Sequence, residues 1–263
     1  MNDRYKNLLK YMLVLIFVGI VGVLISYHTK AENDHYLGVQ PIISDDQYDK
    51  NKTYYDLKPI LGRTYDFQAE LMNSADTPIV VRVKIASAVT NENGIIDYAN
   101  TGNKKKDQTL NFELADHIEY QEKIEIPAKS STQYSFQLTA PRESFEGLIV
   151  GGVNFLEEPL NSQNLENKKG DTSFNSQYSY LIGIVLHGTV DPVKSDMRLN
   201  YVFADLDNYH NSLNANLSNP TASLITDMKS NVKIYDKSDT KRKKVLYEDN
   251  SQAKQMAPNS NFN

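Results

Sequence analysis

No cysteine and no tryptophan occur among the 263 residues, and these absences bound the chemistry first. Without thiols there is neither a disulfide framework nor a thiolate metal site. Histidine is sparse: His28, His35, His117, His187 and His210 are scattered, with no H-E-x-x-H or comparable zinc spacing. A G-x-S-x-G elbow is also missing, which together with the lack of a cysteine nucleophile removes the commonest acyl-transfer arrangements. No catalytic residue, metal ligand or cofactor site is therefore expected. Carboxylates, by contrast, are abundant, so a wall-modifying hydrolase built on a carboxylate pair stands as the alternative, although no local context singles a pair out.

What is present is a β-rich composition. Seventeen tyrosines against nine phenylalanines, with many Asn, Ser and Thr, indicate strands and a hydrogen-bonding surface. The length allows two domains with their own cores. Arg4, Lys6 and Lys10 precede an uncharged, mostly apolar run from Tyr11 to Tyr27, and Thr29 and Ala31 supply small residues before a cleavage point after Ala31. Residues 1–31 read as a signal peptide, with an uncleaved N-terminal anchor as the other reading, since the run approaches the roughly 17–25 residues that span a bilayer. Both place the rest of the chain outside the cytoplasm. Removing that segment leaves 24 basic and 32 acidic residues, about −8. Such a balance argues against nucleic acid as a partner.

Residues 32–52 read as a polar lead-in, in which Asp45, Asp46 and Asp49 lack EF-hand spacing and are expected to be solvated. Tyr54–Leu57 begins a short extended segment. Tyr65, Phe67, Ala69 and Leu71 alternate with polar residues, as do Val81, Val83 and Ile85 in the stretch 78–98, so two strands with one buried face are predicted, as antiparallel neighbours across the turn at Asn73. Further alternation predicts strands over 110–114, 124–126 and 134–138, separated from the preceding ones by a lysine-bearing loop, 102–107. Gly151 and Gly152 inside an apolar run predict a bulge or a close backbone approach at a sandwich edge. Seven or eight strands in about 120 residues make an Ig-like β-sandwich the expected architecture.

The predicted organisation is all-β, with two tandem Ig-like sandwiches: a first domain over 32–158, an exposed linker over 159–176, and a second domain over 177–263. The second is expected from Tyr180, Ile182, Ile184 and Leu186, from Met197 to Phe203, and from shorter runs at 214–217, 222–228 and 232–235, too few strands for a complete sandwich. Asp205 and Asp207 are expected in a loop.

Three stretches carry a resemblance: Tyr54-Tyr55-Asp56-Leu57 with the Asn73 turn; Thr90-Asn91-Glu92-Asn93-Gly94-Ile95-Ile96-Asp97-Tyr98; and Phe145-Glu146-Gly147-Leu148-Ile149-Val150-Gly151-Gly152. Together with Tyr180-Leu181-Ile182-Gly183 and Met256-Ala257-Pro258-Asn259-Ser260-Asn261-Phe262, they resemble the WxL-interacting protein family of Gram-positive bacteria. The resemblance implies a cell-surface protein with a peptidoglycan-binding module followed by a host-binding module. It also implies peptidoglycan, WxL-domain proteins and host extracellular-matrix proteins as partners. Family members carry a C-terminal transmembrane helix and basic tail, which this sequence lacks, so the second module reads as cut short. The candidate binding residues are Tyr54, Tyr55 and Tyr98, whose ring faces suit sugars, with Asp56, Asn91, Asn93 and Asp97 as hydrogen-bonding groups. A second reading stands beside this one: Asn91, Asn93 and Gly94 build a turn, and Tyr98 packs beneath it.

Overall fold

The computed structural model describes residues 35–158, 178–190, 192–207 and 209–263. The candidate signal segment and the linker over 159–176 lie outside the described residues. Leu37–Asn263 form one compact unit. Its strands are β1 (Leu37–Ile42), β2 (Tyr55–Leu57), β3 (Thr64–Asn73), β4 (Ile79–Ser87), β5 (Val89–Thr90), β6 (Ile96–Asp97), β7 (Ile118–Glu119), β8 (Lys123–Ile126), β9 (Ser131–Thr139) and β10 (Leu148–Glu157). The series continues with β11 (Ser179–His187), β12 (Arg198–Asp207), β13 (His210–Asn219), β14 (Ile225–Tyr235), β15 (Val245–Met256) and β16 (Ser260–Phe262). Among the described residues one 3-10 turn, Leu114–His117, interrupts them.

The first sandwich packs a four-stranded sheet, order β1-β3-β9-β7, on a five-stranded sheet, order β2-β11-β10-β4-β8. The alternation in β3 and β4 does mark a buried face on each strand. The two are not sheet neighbours, however: β3 pairs with β1 and β9, whereas β4 pairs with β10 and β8. Period-two patterning tells which face is buried, and a turn that crosses between layers satisfies it as well as a hairpin does. The turn itself is fixed by Asn73, 3% exposed. Its Nδ2 donates to the carbonyls of Thr77, Ile126 and Pro127, and its Oδ1 accepts from Ala75 N–H.

Between the layers lies an aromatic core. Tyr55 meets Phe67 and Phe136 at ring-centroid distances of 4.7 and 5.6 Å, and Phe155 meets Tyr134 edge-on at 5.5 Å. Each such ring contributes on the order of 2–3 kcal/mol through burial. The phenols of Tyr55 and Tyr134 donate to the carbonyls of Gln68 and Gln121, each at 2.7 Å, so their polar ends are satisfied.

Several elements differ from the sequence-based expectation. The polar lead-in contains a strand, β1, running antiparallel to β3. Residues 110–114 form no strand; they run as loop into the 3-10 turn, where Phe112 stacks flat on His117 at 3.9 Å. Asp205 and Asp207 belong to β12 rather than to a loop. Gly151 and Gly152 lie in the middle of the five-stranded sheet, in unbroken register, so there is neither bulge nor edge. The close approach is real: a Cβ on Gly151 would stand 2.2 Å from the Ala86 carbonyl oxygen and 2.4 Å from Leu114. β11, grouped by the sequence with the second domain, pairs with β10 along nine residues and with β2, completing the first sheet.

β5 and β6 pair as a separate two-stranded hairpin, and the remaining strands form a smaller pair of sheets, β12-β13-β16 and β14-β15. Met228, Met256 and Phe262 are buried together, with Leu217 and Ile225 against them, so both sheets share one small core.

Two outcomes are expected. Asn73→Ala strips a buried turn of four hydrogen bonds and lowers stability by about 2–3 kcal/mol, read as a lower urea midpoint with unchanged slope. Burial pushes the Tyr55 and Tyr134 phenols well above their ordinary value of 10.0. The unfolded chain then releases these protons first, so stability is full below pH 10 and falls as pH rises above it. Urea midpoints across that range check the sign, and Tyr55→Phe should flatten the fall.

Candidate functional site

The five-stranded sheet turns one face to the core and one outward, and adjacent residues of β2 point to opposite faces. Tyr55 points inward and is 1% exposed, which leaves no surface for a ligand. Asp56 points outward yet is buried, with Oδ1 2.7 Å from His187 Nε2. Tyr48 lies against that imidazole at 4.7 Å, and Gln47 Oε1 accepts Asp56 N–H.

Tyr54 and Tyr98 are half buried on the same outward side. The Tyr54 phenol is pushed up by burial first and then by the charges of Asp56, Asp49 and Tyr98; the Tyr98 phenol is pushed up by burial. Beneath them Gly152 and Gly183 are cross-strand partners. A Cβ on Gly183 would touch Tyr54 at 3.6 Å, and one on Gly152 would lie 3.2 Å from the Tyr98 carbonyl oxygen. Two missing side chains thus let both tyrosine segments lie directly on the sheet.

Residues 88–113 leave β4 and fold back over this outer face. Ala88 and Ile96 are buried there with Val150 and Ala257, and Tyr98, Leu148, Val185 and Leu224 pack against them. β5 and β6 form a hairpin whose turn is built by Asn91: its Oδ1 accepts from the N–H groups of Asn93 and Ile95 at 2.9 and 3.1 Å. Gly94 completes it at φ +68. Asp97 builds the next turn, accepting from Ala99 N–H, Thr101 N–H and the Thr101 hydroxyl. Asn91 and Asp97 therefore spend their oxygens on backbone, while Asn93 is exposed.

The hairpin also holds the second sandwich. Thr90, 0% exposed, shares a hydrogen bond with the Ser260 hydroxyl at 2.5 Å and accepts from Ala257 N–H at 3.0 Å. Gln255 N–H donates to the Gly94 carbonyl at 2.6 Å. Lys104 Nζ bridges the carbonyls of Thr90 and Asn261 at 3.0 and 2.6 Å, and Asn261 donates to Asp107. Burial lowers the Lys104 ammonium pKa, which the charges of Glu92 and Asp107 partly offset. Burial works to raise the Asp107 carboxyl, but hydrogen bonds from Thr109 and Asn261, with the Lys104 charge, hold it below the ordinary carboxylate value. The lysine-bearing loop is thus not simply solvated; its first lysine is a strut.

Beside this junction opens a cleft of about 850 Å³ lined by both sandwiches. The first contributes the stacked pair Phe112 and His117 with Arg142, Glu143, Phe145 and Glu146; the second contributes Pro220, Thr221 and Asn259. Its wall is set by Gly147 at φ +72, where a Cβ would stand 2.1 Å from the Ala222 carbonyl oxygen. Leu148 N–H donates to that same oxygen at 2.7 Å, and Thr189 N–H donates to the Phe145 carbonyl at 2.8 Å.

No curated protein matches the chain. Solved structures that it resembles include the CsuC–CsuE chaperone–tip adhesion subunit pre-assembly complex of Acinetobacter baumannii, at 13% identity and a TM-score of 0.36, covering 75% of this chain and 78% of that one. The CupB2 chaperone of Pseudomonas aeruginosa is similar at 10% identity and a TM-score of 0.32, covering 76% and 78%. Two family models match in sequence: the WxL Interacting Protein peptidoglycan binding domain over residues 38–157, and the WxL Interacting Protein host binding domain over 169–263. The chain belongs to the WxL-interacting protein family.

For a WxL-interacting protein, the order of modules is as the sequence motifs imply. The strand that closes the first sheet, β11, nevertheless comes from the residues matched by the host-binding model. Of the seven candidate residues, the structure gathers Tyr54 and Tyr98 on one outward face, assigns Asn91 and Asp97 to turns, and leaves Asn93 at the surface. The sequence reading passes over Thr90 as a contact, Lys104 and the cleft, because each depends on partners more than a hundred residues away. The only local signal is that Thr90 and Ser260 fall inside the motifs that carry the resemblance.

Thr90→Val keeps the shape but leaves Ala257 N–H unpaired at the junction, an expected loss of about 1–3 kcal/mol. Hydrogen exchange should speed at Ala257 and at Gln255 while the β3, β4 and β9 amides stay protected.

Proposed function

We propose that this chain is a non-catalytic binding and scaffolding protein of the Gram-positive cell surface, which associates with peptidoglycan through its first sandwich and engages WxL-domain proteins. The second sandwich is the part assigned to host extracellular-matrix proteins. The observation that carries this reading is the ordered pair of family models over 38–157 and 169–263. One physical feature supports a binding role: rigid sheets hold loops and a cleft in fixed relation. The signal or anchor reading of residues 1–31 belongs with the surface location; among the described residues no helix is long and apolar enough to cross a membrane.

On the first sandwich, Tyr54, Asn93 and Tyr98 are the candidates that retain surface for a partner; Tyr55, Asp56, Asn91 and Asp97 act by shaping that surface. Co-sedimentation of the full chain with purified peptidoglycan, and capture of a WxL-domain protein by the immobilised chain, test the reading. Both associations are expected, with no release of soluble wall fragments. Absence of both from a folded sample overturns the proposal, and fragment release would replace it with the carboxylate-pair hydrolase.

A further inference from the structure

The two walls of the cleft between the sandwiches differ in how their polar groups are used, one wall holding spent groups and the other unspent ones. The second sandwich's wall is internally satisfied. Thr221 Oγ1 donates to Asn219 Oδ1 and meets the Ser223 hydroxyl, its backbone carbonyl accepts from Asn259 N–H, and Asn259 Nδ2 donates to the Pro220 carbonyl. That wall is a fixed surface with little left to offer. Across the cleft, Asn111, Arg142, Glu143 and Glu146 are exposed, and among the described residues their side chains form no hydrogen bond or ion pair. Between them stands a flat platform, Phe112 stacked on His117 with an interplanar angle of 8°.

Charge and shape narrow the ligand. Two carboxylates face one guanidinium, so a polyanion such as teichoic acid or a sulfated glycan meets net repulsion. An uncharged chain of pyranose rings fits better. Its ring faces lie on a stacked aromatic surface, while its hydroxyl and acetamido groups, each able to donate or accept, suit a mixed set of an amide, a guanidinium and two carboxylates. A volume of about 850 Å³ lies within the range that encloses a ligand of several rings.

We infer that the cleft is a carbohydrate-binding site for a neutral N-acetylhexosamine chain, shared by both sandwiches. It rests on the wall-binding reading for its source in the cell but not for its chemistry, and it makes the second sandwich part of the glycan site.

The test uses the full chain with three probes: purified peptidoglycan by co-sedimentation, and chitotetraose and hyaluronan by titration. Phe112→Ala removes the platform, and Arg142→Ala, at an exposed position, keeps the fold if the first does not; Lys237→Ala, exposed in the loop between β14 and β15 and outside the cleft, is the control. Chitotetraose binding and peptidoglycan pelleting are expected, both weakened tenfold or more by Phe112→Ala and by Arg142→Ala and unchanged by Lys237→Ala. Hyaluronan, with a carboxylate in every repeat, should bind at least tenfold more weakly. If peptidoglycan pelleting survives both cleft variants and chitotetraose fails to bind, the cleft inference falls while wall binding stands. If chitotetraose binds in the cleft and peptidoglycan does not pellet, the site stands and its source is another glycan. If hyaluronan binds as tightly as chitotetraose, the neutral-chain assignment is overturned.

Discussion

The buried hydroxyl of Thr90 is the constraint on which the arrangement of the chain depends. A hydroxyl can both donate and accept, and at 0% exposure its partners must come from the protein. Thr90 finds them in Ser260, 170 residues away, and in the amide of Ala257. That single point fixes the turn between β15 and β16. Consecutive residues of the turn then go to different places: Met256 enters the core of the second sandwich, and Ala257 enters the apolar cluster over the first. One turn thus serves two cores, and neither sandwich can move without opening both. Interdomain motion is the ordinary expectation for a small polar interface; here the polar bonds and the apolar cluster overlap at the same residues, which favours one rigid body.

β11 extends this logic to the boundary between modules. Sequence models and composition divide the chain near residues 157–169, where apolar patterning lapses. The physical division comes later, after β11 has run back along β10 and buried Ile182, Ile184 and Leu186 in the first core. A first module ending at residue 157 would expose the flank of β10 and lose three core side chains, leaving an open sheet edge of the kind that invites association. The module named for peptidoglycan is therefore physically completed by residues of its neighbour.

What could be read from the sequence follows from which faces are buried. β3, β4, β9 and β10 declare themselves because each has a dry side, and alternation reports that directly. β15 does not: Val245-Leu246-Tyr247-Glu248-Asp249-Asn250 is exposed on both faces, so its pattern carries no period. Residues 110–114 alternate yet form no strand, because Leu114 fills the space left by Gly151 and Phe112 is drawn onto His117. The Asn91 turn is legible, since Asx side chains bond backbone two to four residues away, whereas Asp97, read as a hydrogen-bonding group for a ligand, spends its carboxylate on the next turn. Thr90 with Ser260, and Lys104 with Asn261, are not legible. Nothing local distinguishes a threonine that turns to solvent from one that locks two domains.

The motifs that mark the family have a geometric explanation that separates family membership from recognition. In Phe145–Gly152, Gly147 is required by a positive φ and by the Ala222 carbonyl, while Gly151 and Gly152 are required by Ala86 and Tyr98. In Met256–Phe262, nearly every residue closes either the second core or the junction. Such residues are fixed by packing whatever the chain binds. A recognition surface needs the opposite property, polar groups held in place but left unpaired, because a group already satisfied gains little by exchanging one partner for another. By that criterion the motifs position the cleft, and the side chains able to read a ligand are the unpaired ones along its rim, Asn111, Arg142, Glu143 and Glu146, which no motif contains apart from Glu146. The glycines and small residues make the two sandwiches meet at one angle; that angle then decides how far Asn259 and Pro258 stand from the Phe112 platform, and so what can enter between them.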